Sequence, residues 1–95
     1  MYYPNLTRSL RTKIMRRFPD ARPLFTDVDH IKNDFGLVCY LLWMLDQLQT
    51  FEPNDVAKRG RWIGYIQGRM EARGFLTNAE NRRLTKVDVQ DMTCV

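Results

Sequence analysis

The sequence predicts an all-α fold, a small helical bundle of three main helices plus a short fourth. Three observations point there. Apolar residues recur at steps of three and four, with almost no strand-like alternation. The strong punctuation falls at Pro19 and Pro23, Pro53 and Gly74, leaving four segments with proline-free interiors. A chain of 95 residues, 44% hydrophobic and 12% aromatic, has enough apolar surface for one core and too little length for two, and it is not the composition of a disordered chain. Residues 1–95 are therefore read as a single helical domain, with 87–95 expected to form a partly ordered, flexible tail.

Leu6, Leu10, Ile14 and Phe18 recur every four residues, with Met15 beside them, and draw one apolar stripe down a first helix over about residues 7–18. Pro19 stops it, because the residue before a proline avoids helical geometry. Thr26 with Asp29 three positions on approximates a capping box, which starts a second helix expected over about residues 27–49. Val28, Ile31, Phe35, Val38, Leu42 and Leu45 form one stripe on it, and Leu37, Leu41, Met44 and Leu48 a second. A helix apolar on two sides is covered on two sides, so this is the central helix. Asn54 is the expected N-cap of the third helix, about residues 55–73, which Gly74 ends by turning left-handed. Thr77-Asn78-Ala79-Glu80 is a capping box opening a short last helix to about Thr85.

The third helix has three faces. At 100° per residue, Val56, Trp62, Ile63, Ile66 and Met70 share an apolar arc. Ala57, Gly60, Gly64 and Gly68 share a second, and Lys58, Arg61, Tyr65, Arg69 and Arg73 a third. Helical glycines cost about 1 kcal/mol each against alanine, so Gly60, Gly64 and Gly68 need a reason. Close packing against the central helix is the expected one; a partner helix or a second copy of the chain is the alternative, which would make a homodimer. Arg59 falls within the apolar arc, where it either snorkels to solvent or meets a carboxylate of the central helix.

Charge is segregated along the chain. The net +4 divides into +5 over residues 1–25, −5 over 26–56, +4 over 57–74 and zero over 75–95. An acidic central segment between two basic ones suggests charge matching inside the fold. The unmatched cations are then expected on the outer sides of the first and third helices: Arg8 and Arg16, with Lys58, Arg61, Arg69 and Arg73.

Catalytic chemistry is thin. His30 is the only histidine; with Asp27 and Asp34 it could line one side of a helix, but acidic residues crowd a helix's first turn for dipole reasons alone. Ser9, the only serine, has no partnered base, and the glycines lie inside a helix without the strand that a phosphate-binding loop follows. Two cysteines, Cys39 and Cys94, provide neither a disulfide framework nor metal-ligand spacing. The expectation is a non-enzyme with no cofactor and no metal. The opening residues lack the apolar stretch of a secretory signal, and the longest apolar run, Leu37 to Leu45, falls far below the ~20 residues that span a bilayer. A cytoplasmic location without membrane contact is expected.

The stretch Arg61-Trp62-Ile63-Gly64-Tyr65-Ile66-Gln67-Gly68-Arg69-Met70, followed by Gly74-Phe75-Leu76-Thr77 and Glu80-Asn81-Arg82, resembles a segment near the C-terminus of small helical accessory proteins of tailed phages and prophages. The resemblance covers about a third of the chain and implies a protein that binds a host protein, such as a recombination nuclease or a defence complex, and modulates or inhibits it. It would act in the host cytoplasm. Candidate contacts are Tyr2, Tyr3, Arg8, Arg16, Lys58, Arg61, Tyr65, Arg69 and Arg73. The alternative is a small basic DNA- or RNA-binding protein that lays its first and third helices along phosphates.

Overall fold

The computed structural model describes residues 4–93, with side chains for 5–86. It consists of α1 (Pro4–Arg17), α2 (Asp34–Leu48), α3 (Val56–Ala72) and α4 (Asn78–Thr93), with one 3-10 turn (Val28–His30) between α1 and α2 and no strand among the described residues. The fold is an all-α bundle. α1 packs on both α2 and α4, and α2 also carries α3.

α2 is central because it is apolar on two sides. Leu37, Val38, Cys39, Leu41, Leu42, Met44, Leu45 and Leu48 are all buried. Leu6, Leu10 and Ile14 of α1 and Ile63, Ile66 and Met70 of α3 complete the same core, with Leu76 from the α3–α4 turn. Phe18 of the first stripe is half-buried, packing edge-on to Phe75 at 5.5 Å.

The second helix begins seven residues later than the spacing predicts. The Asp27 side chain accepts from the Asp29 amide and its carbonyl from the His30 amide, closing a single turn, and the chain is extended again at Ile31. Asn33 is the operative cap: its Oδ1 accepts from the Gly36 amide at 2.7 Å, just before the continuous apolar run. The reason is tertiary. The Leu24 amide donates to the Cys39 carbonyl at 3.1 Å, which lays the connector back along α2, and the chain needs residues 25–33 to reverse direction. Val28 and Phe35 are consequently exposed, not part of the core. Gly36 stands in the first turn, where a Cβ would come within 3.2 Å of the capping Asn33 oxygen.

The cap of α3 is also one residue later than expected. Asp55, not Asn54, accepts from the Lys58 amide at 3.3 Å. The other end follows the sequence. Gly74 has φ 76°, its amide donates to Glu71 and the Phe75 amide to Met70, satisfying the carbonyls a helix end leaves open. The Thr77–Glu80 capping box is reciprocal, at 2.9 and 3.1 Å. α4 then runs to Thr93, past the expected end at Thr85, since neither proline nor glycine follows Gly74.

Among the described residues, three ion pairs tie the helices together: Arg11–Asp46 between α1 and α2, Lys13–Glu80 between α1 and α4, and Arg73–Asp34 at 2.8 Å between α3 and α2. Two of the three end on the acidic segment, as the segment charges suggest. Glu80 is held down to about 2 by the Lys13 ammonium, helped by the Thr77 amide.

Candidate interaction surface

The basic arc of α3 faces the 24–31 connector across a cleft whose floor is α2. One hollow of about 330 Å³ is lined by Val28, Tyr40, Met44, Arg61, Trp62 and Tyr65. A narrower one of about 80 Å³ continues from it past Val28 and Tyr65 to Ile31, Leu37, Arg69 and Arg73. Arg61, Tyr65, Arg69 and Arg73, grouped on one arc by helical spacing, thus line one continuous feature. The Arg69 guanidinium lies 5.0 Å over the Tyr65 ring, a cation–π contact that orients it.

Aromatic rings extend this cleft into a row. Phe25 and Tyr40 both pack on Trp43, at 4.9 and 5.7 Å between ring centres. Trp43 reaches Trp62 at 6.0 Å, and Trp62 meets Phe51 edge-on at 4.8 Å. Lys58 caps the far end, its Nζ 4.4 Å over Phe51. The row is not closed over: Leu24 is 60% exposed, Phe25 61% and Val28 44%. Rings held by one another but open to solvent present apolar area at a small cost in side-chain entropy.

Two tyrosines line the cleft. Burial raises the Tyr40 pKa, and Tyr65 and Asp27 nearby raise it further, so Tyr40 stays a neutral phenol at physiological pH. The Tyr65 hydroxyl is sealed from water and has no hydrogen-bond partner. A buried hydroxyl without a partner is costly and is satisfied by whatever polar group reaches it.

The remaining candidates are dispersed. Arg8 and Arg16 are exposed on α1, which contributes to neither hollow. Tyr2 and Tyr3 lie outside the described residues. Arg73 lines the cleft while paired with Asp34. His30, Asp27 and Asp34 do not share a helical side, since the helix proposed to align them starts at Asp34, and no cluster of metal-ligand type occurs among the described residues.

Arg59 does not snorkel to solvent. It is 5% exposed, and its guanidinium donates to the carbonyls of Phe51, Glu52 and Pro53 at 3.2–3.4 Å. These carbonyls follow the end of α2, where that of Glu52 also accepts from the Asp55 amide at 3.0 Å. The planar fork of the guanidinium serves several of them at once.

The glycine arc does not pack against α2. Gly60, Gly64 and Gly68 are exposed, and a Cβ on any of them would meet nothing within 4 Å. Ile63, Ile66 and Met70 already make the α2 contact, and the glycines lie well round the helix from them. Gly64 and Gly68 instead line a shallow groove of about 560 Å³ with Gln67, Glu71, Asn81 and Thr85.

No family model matches the chain, and no curated protein or solved structure matches it either. No helix among the described residues is long and apolar enough to cross a membrane.

Proposed function

We propose that the protein is a non-enzymatic interaction module, a phage or prophage accessory protein that binds a host protein in the host cytoplasm and modulates or inhibits it. The contact surface in this reading is the cleft between the connector, α2 and α3. One observation carries it: a row of mutually packed aromatic rings, open to solvent at Phe25 and flanked by the exposed Leu24 and Val28, borders a hollow with Arg61, next to the hollow that Arg69 and Arg73 line. Tryptophan, tyrosine and arginine around an apolar depression are the composition of binding hot spots. The chemistry suits an acidic protein segment with one large apolar side chain, its carboxylates meeting the arginines. The host-directed role rests on the resemblance of the stretches 61–70, 74–77 and 80–82 to a segment of phage accessory proteins, read from the sequence alone.

Affinity capture of the full chain from host lysate tests this. The expected result is a stoichiometric protein partner that survives nuclease treatment and is lost with Phe25→Ser or Arg61→Glu. Phe25→Ser is the cleaner variant, because that ring is largely exposed and its removal spares the core. Recovery of nucleic acid alone, with affinity falling steeply as salt rises, overturns the reading in favour of phosphate binding by the basic arc.

A further inference from the structure

We infer that the groove between α3 and α4 is a second docking site, which takes an acidic helix of a partner protein against Gly64 and Gly68, with Gly60 one turn further along the same arc of α3. The fold itself makes no use of these glycines. Each sits in regular helix, where glycine is disfavoured, and a Cβ on any of the three would meet no atom of another described residue within 4 Å. A smooth strip of backbone at four-residue spacing lets another helix axis come closer than side chains would permit.

Asn81 is the independent sign of a missing occupant. It lines the groove at 7% exposure; its Nδ2 donates to Glu71 Oε2 at 3.0 Å, while its Oδ1 is buried and accepts from nothing. The other polar groups around it are engaged, Gln67 donating to the Thr85 hydroxyl at 3.1 Å and that hydroxyl donating to the Asn81 carbonyl at 2.9 Å. A side-chain donor on an incoming helix, such as a serine hydroxyl, would supply the missing hydrogen bond as the groove closes around it.

Charge selects the occupant. Arg82 and Lys86 of α4 border the groove. The one carboxylate lining it among the described residues, Glu71, is engaged by Asn81. A second copy would bring its own α3 segment, with five cations and one anion over residues 57–74, against the same cations. Like charges in close apposition disfavour that pairing, and a helix rich in Glu is favoured.

This site is separate from the aromatic cleft and stands or falls independently of it. The probe is a synthetic helix of about 20 residues, ~30 Å long, built from Glu, Ala and Ser, with a Lys-for-Glu counterpart as control. It is titrated at low ionic strength into the isotope-labelled full chain, followed by NMR. Saturable shifts are expected at the amides of Gly60, Gly64 and Gly68 and at the Asn81 side chain, with none from the Lys helix. Gly64→Leu should weaken binding at least about tenfold while circular dichroism stays native. Arg82→Glu, an exposed change, should weaken it in the same way. Phe25→Ser should leave it unchanged, which separates this site from the cleft. No binding of the acidic helix, equal binding of the basic one, shifts confined to the cleft, or glycine shifts that grow with protein concentration alone would each overturn the inference, the last by making the occupant a second copy.

Discussion

The two helices that flank α2 contribute to the molecule in opposite ways. α1 gives the core Leu6, Leu10 and Ile14, none more than 1% exposed, and is joined by ion pairs to α2 and α4. α3 buries Ile63, Ile66 and Met70 but leaves Trp62 and Tyr65 half-covered and its glycine arc bare. The α1 side is built to be closed; the α3 side keeps two faces open beside a narrow strip of core. Stability and recognition are thus divided between neighbouring helices.

The largest effect that separates them is a cavity on the closed side. Leu10→Ala should cost about 3 kcal/mol, seen as a lower urea midpoint, because the surrounding aliphatic packing collapses only in part. On the open side Phe25→Ser should change stability by no more than about 0.5 kcal/mol. Comparable losses for the two would show that the aromatic row belongs to the core.

Arg59 is the exception on the open side, since it is polar and yet structural. Arg59→Met keeps most of the volume and removes the donors to Phe51, Glu52 and Pro53, for a loss of about 2 kcal/mol. Hydrogen exchange should speed up most in the α2–α3 turn. A loss spread evenly over the chain would mean that the arginine's packing, not its hydrogen bonds, is what matters.

These contrasts also mark what sequence reasoning reaches. The Gly74 terminus and the Thr77–Glu80 box were legible because their chemistry is local, confined to residues three to six apart. The start of α2 was not: Thr26 and Asn33 are both acceptable caps, and a hydrogen bond between Leu24 and Cys39 chooses between them. The arc of Arg61, Tyr65, Arg69 and Arg73 could be read from helical geometry, but its opposing wall, a connector expected to be helix, could not. Phe25 and Trp43 were missed as surface residues. A signal existed for α2: Tyr40 and Trp43 belong to neither of its aliphatic stripes, and aromatics with a polar tip outside both stripes belong at an edge. The glycine arc shows the reverse failure. Periodicity identified the strip, but spacing says nothing about whether the chain covers it.

That strip gives the next effect, of opposite sign. Gly64→Ala and Gly68→Ala should each stabilise the protein by about 1 kcal/mol, a rise of roughly 5 °C in Tm, because the added methyl meets no atom and the unfolded chain loses freedom. Had the arc been packed against α2, the same substitutions would destabilise. A stabilised variant that retains binding to the acidic helix, beside a Gly64→Leu variant that is folded and does not, would place the glycines' purpose outside the fold.

The smallest effect concerns the closed side and depends on pH. Glu80 joins α4 to α1 through Lys13 and caps α4 through the Thr77 amide, which together lower its pKa from an ordinary 4.5 to about 2. A carboxylate depressed in the folded state adds stability that is complete above about pH 4.5 and is lost as the pH falls towards about 2. Its bridge to Lys13 is partly exposed, so the contribution is small and screened by salt. Glu80→Gln keeps a side chain able to accept from the Thr77 amide but cannot ionise. Urea midpoints followed from neutral pH down to about pH 2 should therefore fall more gently in the variant than in the parent chain, with an unchanged m-value. Parallel curves would remove Glu80 as the source of acid sensitivity.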